Sequence, residues 1–141
     1  MKKLLLFSLI LTLFWACSGD PHKDDDFHFE ILPIAEVDAP ETLVVDDLNR
    51  FSYRYKLPSN CHEFSDLYYV AAGTNRTVAV VALVTDTFGA GLTCQEQDDV
   101  VDERIFDFYA AQGAERYSLK FWQGEDENGE DIYLTMNIPV Q

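Results

Sequence analysis

The chain has 141 residues, of which 25 are acidic and 10 basic, giving a formal charge of −15. A field of that sign repels phosphate backbones, which excludes nucleic acid as a partner and disfavours flat adsorption onto anionic lipid. The length suits one domain able to build a core without a metal.

Lys2 and Lys3 open the chain, and residues 4–15 form an apolar run broken only by Ser8 and Thr12. A bilayer span takes about 20 apolar residues, so this run is too short and reads as the centre of a secretory signal. Ala16 and Cys17 close it. Together they resemble the lipobox of bacterial lipoproteins, where the cysteine is lipidated, the chain is cut before it and the new amino group is acylated. Phe14 and Trp15 stand where that motif usually has Leu and a small residue. The resemblance implies a lipoprotein signal peptide over residues 1–16 and a membrane anchor of three acyl chains (palmitate-type) at Cys17. Each buried methylene contributes about 0.8 kcal/mol, and stable attachment takes more than one chain. The alternative is an ordinary signal cut near Ala16 that leaves Cys17 a free thiol. Cleavage would leave 125 residues with eight basic and 25 acidic side chains, a charge of −17. Residues 17–26 have little to bury and predict a flexible acidic tether. Their Lys23-Asp24-Asp25-Asp26 run looks like the surface-export signal of Bacteroidota lipoproteins, which implies the outer membrane with the domain facing the exterior.

After Pro40 nearly every segment alternates with a period of two, and no amphipathic helix longer than two turns appears. Residues 27–37 are apolar but carry Pro33, which cannot donate to a ladder, so they predict an edge strand. Residues 43–45 continue that edge before Asp46-Asp47-Leu48-Asn49 turns the chain. Phe51, Tyr53, Tyr55 and Leu57 then alternate with Ser52, Arg54 and Lys56, a half-buried strand ended by Pro58-Ser59-Asn60. Residues 61–72 predict a third strand, turning at Gly73-Thr74-Asn75. Residues 76–85 are continuously apolar, as in a central strand or one covered on both sides. Residues 86–102 form a polar connection holding Gly89, Gly91 and Cys94. Residues 103–111 place Phe106, Phe108 and Ala110 on one face.

Asn128-Gly129 suits a two-residue type I′ turn. Placing it there pairs Phe121 with Met136, Leu119 with Ile138 and Tyr117 with Val140 on the apolar face. The other face pairs Trp122 with Thr135 and Lys120 with Asn137, and sets Tyr133 diagonal to Trp122. If Cys17 carries lipid, Cys61 and Cys94 remain as an even pair in an exported chain and predict one disulfide, the alternative being two buried thiols.

About seven short strands separated by turn signals predict an all-β, antiparallel β-sandwich over residues 27–141, with a small barrel as the alternative. The lipobox, Leu57-Pro58-Ser59-Asn60-Cys61, residues 76–85 and Phe121-Trp122-Gln123-Gly124-Glu125 carry a wider likeness. The chain resembles the small immunoglobulin-like domains of uncharacterised Bacteroidota lipoproteins, a group with which no activity is associated. The resemblance implies an immunoglobulin-like architecture. It does not extend to the antibody inter-sheet bond, because Cys61 opens a strand and Cys94 lies in a connection.

Candidate chemistry is sparse. Parity puts Trp122, the sole tryptophan after cleavage, on the polar face with Tyr133; Tyr68 or Tyr69 extends the strip if residues 61–72 lie beside it. Such aromatics stack on sugar rings or anchor a partner protein. Alternatively, Tyr133 covers Gly124, and loops or lysine stems half-bury Trp122. The acidic residues 125–131 lack the spacing of a calcium loop and read as a solvated turn. His22, His28 and His62 form no recognisable catalytic set, no nucleophile elbow or zinc motif is present, and a disulfide would remove the Cys61 thiolate. Asn75-Arg76-Thr77 matches a glycosylation acceptor but reads as a turn. The expectation is a non-enzymatic module without cofactor or metal. It would bind an outer-membrane or extracellular protein or a glycan, or serve as a structural accessory subunit of an outer-membrane assembly.

Overall fold

A computed structural model describes residues 27–85 and 93–141. The expected signal (1–16), Cys17 with its lipid, the tether (17–26), and Gly89 and Gly91 lie outside the described residues. Eight strands follow one another among the described residues: β1 (Phe27–Leu32), β2 (Ile34–Asp38), β3 (Asn49–Lys56), β4 (His62–Ala72), β5 (Asn75–Thr85), β6 (Val101–Phe108), β7 (Arg116–Glu125) and β8 (Asp131–Pro139). No helix occurs among the described residues.

The strands form two sheets, the β-sandwich that the alternating pattern predicts. The larger sheet contains β1, β4, β5, β7 and β8, and the smaller is ordered β2-β3-β6. The eighth strand arises at Pro33. β1 pairs with β5 in one sheet and β2 pairs with β3 in the other, so the proline marks a crossing between layers. Both β1 and β2 are edge strands, as a proline in that run requires. Residues 43–45 do not continue that edge. Leu43 bridges to Val140 and Val45 to Ala110, closing a side of the sandwich. Asn49 makes that excursion possible, because its buried side chain bonds Val44 N–H (2.7 Å) and the carbonyls of Val44, Asp47 and Phe108.

Among the described residues all ladders are antiparallel except one, in which β5 and β7 pair in parallel over four rungs, from Asn75↔Ser118 to Val78↔Phe121. The same edge of β5 is then taken by β1, from Leu32↔Val80 to Phe27↔Thr85. β4 occupies the opposite edge along nearly its whole length. β5 is thus central, which explains its unbroken apolar sequence.

The core is rich in aromatic rings. Phe51 on β3 stacks on Phe106 of β6 at 4.8 Å, and both approach Phe121 of the facing sheet. Tyr117 packs edge-on against Phe108 at 4.9 Å, and its hydroxyl accepts a bond from Ala111 N–H (3.0 Å). At the other end, Asp102 lies opposite Tyr55, and accepts from the Tyr55 hydroxyl (2.5 Å) and from Arg104 Nε (2.9 Å). The Arg104 guanidinium covers the Phe64 ring of the facing sheet at 4.6 Å. β6 therefore begins at Val101 rather than at residue 103. Its two inward charges neutralise each other and so can border a core.

The expected Cys61–Cys94 disulfide is present, with Cα atoms 5.5 Å apart. It staples a connection to the start of β4, helped by Asn60 N–H to Gln95 O (3.1 Å) and Gln97 N–H to Pro58 O (2.8 Å). Closing a loop of 33 residues constrains the unfolded chain, worth about 3–4 kcal/mol on the loop-entropy argument. Denaturant unfolding of a Cys61→Ser/Cys94→Ser variant should show a loss of that order.

Burial pushes the Asp102 carboxyl upward, but the bonds from Tyr55 and Arg104 outweigh it and hold the group below its ordinary value. The folded state therefore keeps Asp102 charged where the unfolded chain takes up a proton. Its contribution is complete above the unfolded pKa and is lost as pH falls through the lower folded value. Thermal melts across the carboxylate range should show Asp102→Asn less sensitive to acid than the parent.

Candidate functional site

The outer faces of the two sheets differ in chemistry. On the smaller sheet, Arg54 bonds Glu36 (2.9 Å) with Asp38 and Glu103 close by, and Arg50 pairs with Asp107 at 3.0 Å. These exposed pairs make a solvated, internally satisfied surface. The larger sheet instead presents Phe29, Ile31, Tyr68 and Val70 to solvent, beside half-buried Trp122 and Tyr133.

The β7–β8 register creates the aromatic cluster, and it departs from the expected one. Tyr117 pairs with Ile138, Leu119 with Met136, Phe121 with Leu134 and Trp122 with Tyr133. Two devices account for the shift of two residues. The turn is not type I′, since Gly129 has positive φ but Asn128 does not. Gly129 N–H bonds Asp126 O (3.0 Å) and Asp126 N–H bonds Glu130 O (2.8 Å), giving a three-residue loop with glycine in the left-handed position. A bulge at Gln123 then adds one residue to β7. A two-residue shift exchanges partners but preserves faces, so Trp122, Lys120, Tyr133 and Thr135 keep the outward side that parity assigns them.

Tyr133 thus sits directly opposite Trp122, not diagonal to it, and does not cover Gly124, whose partner is Ile132. Trp122 lies one residue beyond the last β5–β7 rung, level with Ala79, and Ala79 pairs with Tyr68 across β5. The sequence Tyr133–Trp122–Ala79–Tyr68 therefore crosses four strands in one row. β4 is not beside β7 as expected, because β5 intervenes. Ala79, small and only 4 % exposed, is the low point of that row. Over it opens a cleft of about 360 Å³ lined by Ile31, Tyr68, Thr77, Ala79, Trp122, Glu125, Asp131 and Tyr133. Tyr69 does not take part. It pairs with Val78, whose side chain is in the core, so it points to the opposite face although it is 44 % exposed.

Asp131 orders the cleft. Its carboxylate accepts from Trp122 Nε1–H (2.7 Å) and from the Tyr133 hydroxyl (3.1 Å). Burial, the bond to Asp131, that group's charge and the Tyr68 phenol all push the Tyr133 pKa upward. The Lys120 ammonium lies over the Tyr133 ring, 5.8 Å from its centroid. No ring-to-ring contact joins Tyr68, Trp122 and Tyr133 among the described residues, which leaves the space between them open.

A constellation not found in the sequence lies elsewhere. Ser59 Oγ is 2.8 Å from His62 Nδ1, and His62 Nε2 is 3.0 Å from Glu30 Oε2. The connectivity is that of a serine–histidine–acid relay, but Ser59 is 7 % exposed and its oxygen already accepts Cys61 N–H (3.1 Å). A nucleophile needs a free, approachable oxygen; this arrangement instead braces the disulfide turn against β1. Only Ser59 and His62 are close in sequence, so the pairing of β1 and β4 with opposite edges of β5 was required to reveal it. The acidic hairpin tip is likewise engaged: Asp126 Oδ1 accepts Asn128 N–H (2.8 Å) and Glu130 N–H (2.9 Å), which hold its carboxyl below the ordinary range.

Compared with protein-family models, curated proteins and solved structures, the chain matches none. The geometry of the cleft is therefore the ground for a functional reading. Asp131→Ala should free both rings, detected as a red-shifted Trp122 emission and a Tyr133 titration closer to that of ordinary tyrosine. An unchanged spectrum would show that Asp131 does not order them.

Proposed function

We propose that this protein is a lipid-anchored binding module of the outer membrane, held by Cys17 and facing the cell exterior, whose contact site is the cleft between Tyr68, Trp122 and Tyr133. The single observation that carries the reading is the convergence of these three rings on one cleft of the larger sheet. Aromatic side chains offer broad contact area at small entropic cost, which is why they anchor interfaces. The hollow on the salt-bridged face of the smaller sheet, lined by residues such as Asp38, Arg50, Ser52 and Glu103, has no aromatic ring in its lining. The anchor and location rest on the lipobox and the acidic tether, and the partner class is protein or glycan.

A second reading, a structural accessory subunit that packs permanently into an outer-membrane assembly, draws on Phe27, Phe29 and Ile31. They continue the exposed apolar surface along β1. Exposed apolar side chains in such a row suit a protein interface more than a sugar site.

Capture from detergent-solubilised membranes with the full lipidated chain tests the proposal. The Trp122→Ala/Tyr133→Ala variant should keep most of its melting temperature and lose partner capture. Loss of stability in step with loss of capture would make the two rings packing residues and reject the contact site. A stoichiometric membrane partner retained by that variant would favour the accessory reading.

A further inference from the structure

We infer that the cleft takes a basic side chain of a protein partner, a lysine ammonium or an arginine guanidinium; this deepens the binding reading above and rests on it. Its lining combines three aromatic rings with the carboxylates of Glu125 and Asp131, and includes no basic residue. Cations are drawn to aromatic faces by the ring quadrupole, and adjacent carboxylates add direct attraction. The Asp131 oxygens are each engaged by a ring donor, so Asp131 shapes the cleft while still contributing charge. Glu125 is exposed and lines the cleft, where its carboxylate adds negative charge.

The protein itself shows the attraction at work. The Lys120 ammonium lies over the Tyr133 ring, 5.8 Å from its centroid, although Lys120 itself does not line the cleft. Tyr68 and Trp122 line the same cleft and offer further ring faces to a cation there. The charge of −15 over the whole chain steers basic partners toward it and away from acidic ones. A neutral sugar would gain from the rings but not from the charge. The arrangement therefore favours a cation over a glycan.

The test follows the indole N–H resonance of Trp122 in the full chain, identified by its absence in Trp122→Phe. The probes are a capped glycine peptide with one central lysine, its arginine counterpart, its Nε-acetyl-lysine twin and cellobiose. Both cationic peptides should shift the resonance saturably, more weakly at high salt, while the acetylated twin should not. Glu125→Gln should weaken the lysine peptide by about threefold or more. Lys120→Gln should tighten it by removing a like charge beside the site. Equal response to the acetylated twin, or failure of both cationic peptides to saturate, would overturn the inference. Saturation by cellobiose alone would also overturn it while leaving the cleft a binding site, whereas the membrane-capture experiment judges the binding reading itself.

Discussion

The architecture depends on how β5 distributes its hydrogen bonds. One edge is given to β4 along almost all its length, and the other is divided between β7 and β1. The division falls at Ala79, between the last β7 rung at Val78 and the first β1 rung at Val80. A methyl group at the division leaves room that a larger side chain would fill. Tyr68 reaches the gap from one edge, and Trp122 with Tyr133 reaches it from the other. The cleft is therefore a consequence of strand pairing, with the rings placed by backbone ladders rather than by a loop.

The layers beneath give those ladders their rigidity. Rings from both sheets interlock around Phe51, Phe106 and Phe121, while Tyr117 and Tyr55 satisfy their hydroxyls at opposite ends of the core. Buried tyrosine stabilises a core only when its oxygen has a partner, and each of these does. Pro33 lets the chain leave one layer for the other, and Gln123 Nε2 donates to Ile34 O (3.4 Å) beside that crossing. The bulge that shifts the β7–β8 register thus lies next to the crossing. That shift is what brings Tyr133 opposite Trp122.

Much of the fold was legible in the residues, and the misses have physical causes. Alternation along 51–57 and the apolar run 76–85 identified one half-buried strand and one central strand because burial imposes period directly. Faces on β7 and β8 were readable for the same reason. Their partners were not, since Asn128-Gly129 suits two turn types and the bulge at Gln123 has no sequence signature. The start of β6 was obscured because Asp102 and Arg104 are charged yet point inward as a neutralised pair. In the cleft, Trp122, Tyr133 and Tyr68 were identifiable by type and parity. Tyr69 was not separable from Tyr68 until the β4 register fixed which of the two shares a face with Ala79. Asp131 was readable only as part of an acidic turn, and its bonds to two rings depend on the true register.

The most direct test of this arrangement is a nuclear Overhauser measurement from the Ala79 methyl group. The row Tyr133–Trp122–Ala79–Tyr68 predicts cross-peaks from that methyl to both the Trp122 indole and the Tyr68 ring, with Trp122 and Tyr133 backbone protons in mutual contact. Absence of the indole cross-peak, together with contacts from Trp122 to Thr135 and from Tyr133 to Gly124, would contradict it.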